Sequence, residues 1–100
     1  MEITVDELLE FAARLENAPW CTLRDKEPFR YQVTPNQIEF FPGGRKNGGR
    51  SLSRRQVDEF CRKFNHQMSF KPGDYGESFH KSYLLPIIKK LVSELNEARA

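Results

Sequence analysis

Apolar residues near the start of the chain recur every three or four positions, which is the spacing of a helix with one buried face. The stripe consists of Val5, Leu8, Ala12 and Leu15. Thr4 and Glu7 stand at its start in the spacing of a capping box, in which the threonine hydroxyl accepts from a backbone N–H of the first turn. Because proline cannot continue a helix, we expect the first helix to begin just after Thr4 and to end before Pro19.

The middle of the chain alternates between apolar and polar residues, which is the period of a strand with one buried face. Three such segments are joined by turn residues and predict an antiparallel meander. The predicted strands cover residues 20–24, 29–34 and 37–41. The polar face is expected to carry Thr22, Arg24, Arg30, Gln32, Thr34 and Glu39. Two aromatic residues, Trp20 and Phe41, are candidates for the same polar face, where a ring can stack on a base; packing beneath a loop is the alternative.

Two more helical stripes follow a glycine-rich stretch. Ser53 and Gln56 form a second capping box, which predicts a helix from about Ser53 to about Gln67. A last helix is predicted over 83–98, with Pro86 in its first turn because proline disrupts the interior of a helix. The expected fold is therefore one α+β domain over residues 1–100, in the order α-β-β-β-α-α: a three-stranded antiparallel meander with one N-terminal helix and two C-terminal helices packed on one face.

Composition narrows the class of protein further. The 100 residues suit a single core. Cys21 and Cys61 are too few for the disulfide framework of a small secreted domain, and no apolar run is long enough to cross a membrane. These features favour a cytoplasmic protein without a membrane partner.

Charge is distributed unevenly along the chain. Residues 1–20 carry five acidic residues and one basic residue, whereas residues 45–63 carry seven basic and two acidic residues. The basic stretch combines a glycine-rich loop with a helix start, where backbone N–H groups and the helix dipole favour anions. We therefore expect contacts to the phosphates of DNA or RNA, and the alternative is a solvated connection. The candidate contact residues are Arg45, Lys46, Arg50, Ser53, Arg54 and Arg55.

Catalytic and metal-binding patterns are weak. The segment 44–51 superficially resembles a nucleotide-phosphate loop, but Arg50 replaces the lysine and the neighbouring strands are antiparallel. The four candidate zinc ligands include no closely spaced pair with convergent side chains; they are Cys21, Cys61, His66 and His80. His80 could form an acid–base group with Asp74, Tyr75 and Glu77 in the segment 68–81, but a polar loop produces such a set by chance. We expect no enzymatic activity, no cofactor and no metal.

A second functional hypothesis rests on apolar residues near the end of the chain. The irregular segment 68–83 is rich in aromatic residues, and the last helix has a wide apolar stripe. If these side chains stay outside the core, they favour a protein-interaction or homodimerising module.

A sequence pattern spread over residues 20–92 resembles short uncharacterised bacterial proteins of mobile DNA, such as integron gene cassettes and phage. Its positions are Cys21, Thr22, Leu23, Pro28, Phe29, Ile38, Ser51, Ser53, Arg54, Val57, Phe60 and the run 82–88. The resemblance implies a bacterial cytoplasmic setting and a role in handling or defending nucleic acid. Members of that group usually carry another residue in place of Pro86.

Overall fold

The computed structural model describes residues 2–43, 50–76 and 80–99, which form three α-helices and one sheet. The sheet is antiparallel, with four strands in the order β1-β2-β3-β4. In chain order the elements are α1 (Val5–Arg14), β1 (Trp20–Cys21), β2 (Pro28–Thr34), β3 (Gln37–Pro42), β4 (Arg50–Ser53), α2 (Arg54–Gln67), a short 3₁₀ helix (Pro72–Tyr75) and α3 (Lys81–Arg99). The predicted α+β class is confirmed, but the predicted number of strands is wrong.

The additional strand is β4, which the sequence analysis treated as loop and helix cap. Its residue Leu52 pairs with Ile38 of β3 and is buried with it, while Ser51 and Ser53 are exposed. The backbone of β3 needs a hydrogen-bonding partner on this side, and β4 supplies it. A four-residue strand with a single buried position leaves too short an alternation to be recognised in the sequence.

One hydrophobic core joins the inner face of the sheet to the three helices. The sheet contributes Trp20, Phe29, Tyr31, Ile38, Phe40 and Leu52. The helices contribute Leu8, Leu9, Phe11, Ala12, Val57, Phe60, Cys61, Phe64, Leu84, Leu85, Ile87, Ile88 and Leu91. The predicted packing of the helices on one face of the sheet is therefore confirmed for the part of the chain that the structure describes.

Side-chain caps fix the starts of the first two helices. The Thr4 hydroxyl accepts from the Glu7 N–H (3.1 Å) and also donates to the Glu7 carboxylate. At α2 the box is reciprocal, because the Ser53 hydroxyl accepts from the Gln56 N–H (3.2 Å) and the Gln56 side chain accepts from the Ser53 N–H (2.9 Å). Each hydroxyl satisfies an N–H group that has no partner within the helix, as predicted, but the full capping box is present at α2 and not at α1, where the Glu7 carboxylate accepts from the Thr4 hydroxyl.

The start of α3 differs from the prediction. The helix begins at Lys81, so Pro86 is its sixth residue and lies beyond the first turn. Its missing N–H leaves the Ser82 carbonyl without the usual partner four residues on. The first turn is closed instead by the His80 carbonyl, which accepts from the N–H groups of Tyr83 (2.9 Å) and Leu84 (3.2 Å). Pro86 itself is buried, so packing offsets the lost hydrogen bond.

Two polar links connect distant parts of the chain within the core. The Asn65 side chain accepts from the Ile3 N–H (2.7 Å) and donates to the Ile3 carbonyl (2.9 Å), which attaches the segment before α1 to α2. The Tyr31 hydroxyl donates to the Ala12 carbonyl (2.7 Å) and joins β2 to α1. The Asn65 link satisfies both backbone groups of Ile3, which would otherwise be costly to remove from water, and the Tyr31 link gives a second donor to a carbonyl that also accepts from the Leu15 N–H.

Candidate nucleic-acid interface

The outer face of the sheet is polar, and no helix in the described ranges covers it. The strand register places Gln32, Glu39 and Ser51 in one row across β2, β3 and β4. Thr34, Gln37 and Ser53 form the row beside it. Except for the half-buried Glu39, these six side chains are exposed. An open, hydrogen-bonding sheet face is thus available to a partner.

A basic and aromatic pair lies at one end of this face. Arg30 of β2 stands directly opposite Phe41 of β3, so the two side chains project from the same side of the sheet. Arg30 is exposed, and Phe41 is half-buried. The connection that follows β3 carries Arg45 and Lys46 in the sequence, and these two predicted contact residues lie outside the described ranges.

Arg50 lies at the same end of the sheet but on the opposite side. Arg50 pairs with the buried Phe40, so its side chain projects from the inner side of the sheet. It lies at the edge of that side, where it is exposed. The charge of Arg50 acts on His80, whose pKa is lowered mainly by burial and, to a smaller extent, by Arg50. Arg50 therefore adds positive potential at the end of the sheet without sharing a face with Arg30.

Two further predicted contact residues are occupied by contacts within the fold. The Ser53 hydroxyl caps α2. The Arg54 guanidinium forms an ion pair with Asp6 of α1 and donates to the Pro35 carbonyl, and the Arg54 N–H donates to the Asn36 carbonyl (2.8 Å). These groups join α1, the β2–β3 turn and α2, because all three elements meet at the start of α2. The start of α2 therefore holds three elements together, and fewer of its polar groups are available to bind a phosphate.

Arg55 remains at the surface. Its side chain is 90% exposed and lies 3.6 Å from Glu59, one helical turn further along. An exposed pair of this kind contributes little to stability and competes weakly with another anion. Of the predicted contact residues within the described ranges, Arg50 and Arg55 are therefore the two whose charged groups are accessible.

Sequence reasoning placed Arg30 on the polar face and offered Phe41 as a candidate beside it, but it favoured packing beneath a loop for Phe41. The missing information was the register, because a shift of one residue would place Phe41 in the core. Trp20 was expected on the same face or beneath a loop and lies in the core instead, where its Nε1 donates to the Leu15 carbonyl (3.0 Å). Thr22, also expected on the polar face, is buried because the chain turns after β1 and its hydroxyl accepts from the Glu27 N–H.

The described aromatic residues of the segment 68–83 pack against the core. Tyr75 stacks on Phe60 with ring centroids 4.9 Å apart, and Tyr83 stacks on Phe40 at 5.3 Å. The large apolar side chain that is most exposed among the described residues is Met68, at 49%. The apolar surface that the second hypothesis requires is therefore small in this part of the molecule.

Other reactive groups are scattered. Within the described ranges no three His, Cys, Asp or Glu side chains come close enough to hold a metal ion. Cys21 is exposed, while Cys61 is buried, and burial together with the nearby Asp58 and Glu7 raises the pKa of the Cys61 thiol to about 12. No helix in the described ranges is long and apolar enough to span a membrane.

Comparisons with protein-family models, with curated proteins and with solved structures found no match. The resemblance to proteins of mobile DNA stays a prediction. The candidate site is therefore the uncovered sheet face, with its strand register and its charges.

Proposed function

We propose that the protein is a small module that binds single-stranded nucleic acid on the uncovered face of its sheet. Arg30 contacts a phosphate and Phe41 stacks on a base, while Arg45 and Lys46, which lie outside the described ranges, stay predicted phosphate contacts. The observation that carries the proposal is the register of β2 and β3, which puts Arg30 opposite Phe41 on an uncovered face.

The combination of one ring and several cations favours a single strand over a duplex. A base can stack on an aromatic side chain only when its own face is free, which a duplex prevents. Such stacking contributes about 1–3 kcal/mol per base. Phosphate contacts add an electrostatic contribution that depends on salt, because each one releases counterions from the nucleic acid.

Arg50 and Arg55 contribute to the proposed binding of nucleic acid to different degrees. Arg50 lies on the edge strand at the end of the sheet that carries Arg30 and Phe41. Arg55 is on α2, beyond the opposite end of β4. We therefore assign Arg50 to the edge beside the interface, where it adds positive potential from the other side of the sheet, and we assign Arg55 a long-range electrostatic effect only. Arg54 is left out because Asp6 and the Pro35 carbonyl hold its guanidinium.

The proposal is tested by fluorescence anisotropy with labelled 12-nucleotide strands of mixed sequence, as DNA, as RNA and as duplex DNA. At about 50 mM salt we expect the single strands to bind more tightly than the duplex, and binding to weaken at 200 mM salt. Phe41→Ala should weaken single-strand binding by roughly tenfold, within the range known for base stacking. Arg30→Gln should weaken it and also reduce its dependence on salt.

A matched control is Lys90→Gln, which removes one positive charge from the exposed surface of α3. It should leave affinity nearly unchanged. The proposal fails if no strand binds at about 50 mM salt, or if Phe41→Ala and Arg30→Gln both bind as tightly as the control.

A further inference from the structure

An acidic residue lies at the centre of the proposed binding face. Glu39 is two residues from Phe41 on β3 and stands between Gln32 and Ser51 in neighbouring strands. Its side chain is half-buried, and no ion pair to it occurs among the described residues. A carboxylate repels phosphates, so on a face that binds nucleic acid Glu39 is suited to contact a base and not the backbone.

A carboxylate accepts hydrogen bonds and donates none, so it discriminates between bases by the donors that they offer. Guanine presents two adjacent donors on its Watson–Crick edge, the N1–H and the N2 amino group, and these match the two oxygens of a carboxylate. Adenine and cytosine offer an amino group beside a ring nitrogen that accepts. Thymine and uracil offer one N–H between two carbonyl oxygens. Glu39 therefore matches guanine better than any other base.

The spacing of the strand fits this contact. Residues two apart on β3 are separated by about 6.6 Å, which is close to the width of a base. A base stacked on Phe41 can thus point its edge along the strand toward Glu39. The guanine O6 accepts a hydrogen bond, and a carboxylate cannot supply the donor. The neighbouring Gln32 amide and Ser51 hydroxyl can donate to it.

We propose that this face selects guanine in a single strand, with Glu39 as the residue that determines specificity. The inference rests on the proposed function, since it requires a base stacked on Phe41. A bidentate contact of this kind corresponds to about tenfold discrimination between bases.

The test uses four 12-nucleotide thymine-rich strands that differ at one central position, which is guanine, adenine, cytosine or thymine. RNA versions with uracil in the host distinguish the two kinds of nucleic acid. The unaltered protein should bind the guanine strand about tenfold more tightly than the other three. Glu39→Gln should reduce this preference to less than about twofold, while the other strands bind equally well or better because a negative charge is gone.

Two controls separate the specific contact from general effects. Glu94→Gln removes a negative charge from the exposed surface of α3 and should keep the full preference for guanine. A strand with inosine in place of guanine keeps the N1–H but lacks the N2 amino group, so the unaltered protein should lose most of its preference. This second arm does not depend on whether Glu39→Gln folds.

The outcomes distinguish the two proposals. If no strand binds, the proposed function itself fails. If all four strands bind equally, or if the preference survives both Glu39→Gln and inosine, the guanine inference is overturned and the binding module stands.

Discussion

The link between Asn65 and Ile3 gives a sharp prediction about stability. The Asn65 side chain uses both ends of its amide, accepting from the Ile3 N–H at 2.7 Å and donating to the Ile3 carbonyl at 2.9 Å. The substitution Asn65→Asp preserves the shape and the acceptor but replaces the donor with an oxygen. At neutral pH it therefore places a charged carboxylate oxygen against a carbonyl oxygen.

The expected cost follows from the two groups involved. Loss of one hydrogen bond costs about 1 kcal/mol, and leaving a charge against an acceptor in a partly buried site adds roughly 1–2 kcal/mol. We expect the free energy of unfolding to fall by about 2–3 kcal/mol at pH 7. As the pH is lowered toward about 4, the carboxyl group takes up a proton and regains a donor, so the loss should shrink to about 1 kcal/mol.

The assay is urea denaturation followed by fluorescence of Trp20, the single tryptophan, which is buried in the folded protein. The control is Asn17→Asp, which makes the same change at an exposed position just after α1. The reasoning is refuted if Asn65→Asp is as stable as Asn17→Asp at pH 7. It is also refuted if the difference between the two variants stays the same at pH 4.

Four other outcomes are expected. Tyr31→Phe should lower the free energy of unfolding by about 1 kcal/mol in urea, because it removes one of the two hydrogen bonds that the buried Ala12 carbonyl accepts, the other coming from the Leu15 N–H. At pH 8 a thiol reagent should titrate Cys21 in the folded protein and Cys61 only after unfolding. Because folding raises the pKa of Cys61 from 9.0 to about 12, stability should decrease as the pH rises through this interval, and Cys61→Ala should remove that contribution. Arg54→Gln should cost less than about 1 kcal/mol by thermal melting, since its side chain is 41% exposed, and should leave oligonucleotide affinity unchanged.

The helices were predictable because each has several independent signals. For α2 the capping box at Ser53 and the stripe that includes Phe60 agree, and the structure gives bounds of Arg54–Gln67. The strands β2 and β3 were predictable for the same reason, since their alternation runs over six or seven residues. Agreement between local signals is what makes a segment easy to predict.

Features that depend on distant partners could not be predicted. β4 forms because β3 provides backbone hydrogen-bonding partners for it, whereas its own sequence contains only one buried residue, Leu52. The interior position of Pro86 depends on packing that offsets a lost hydrogen bond. Tertiary contacts of this kind override local preference.

The candidate site was predictable in composition but not in arrangement. The sequence identifies a cluster of arginines, and it does not say that Asp6 binds one of them from another helix. The sequence also does not show that the Arg50 side chain projects from the inner side of the sheet, whereas the Arg30 side chain projects from the outer face. Neighbouring residues on a strand point to opposite faces of the sheet, so charges that are close in sequence can be separated. Charges that are far apart in sequence can meet when their strands pair.

The contact between Ile3 and Asn65 also has a consequence during synthesis. It joins residues 62 positions apart, so the N-terminal segment must wait for its partner to be made. At about 5–20 residues per second the interval is roughly 3–12 s. During that time the apolar face of α1, including Leu8 and Phe11, has no α2 or α3 to cover it. Helix α1 is thus made well before the residues that secure it, and this part of the fold is completed only after Asn65 has left the ribosome.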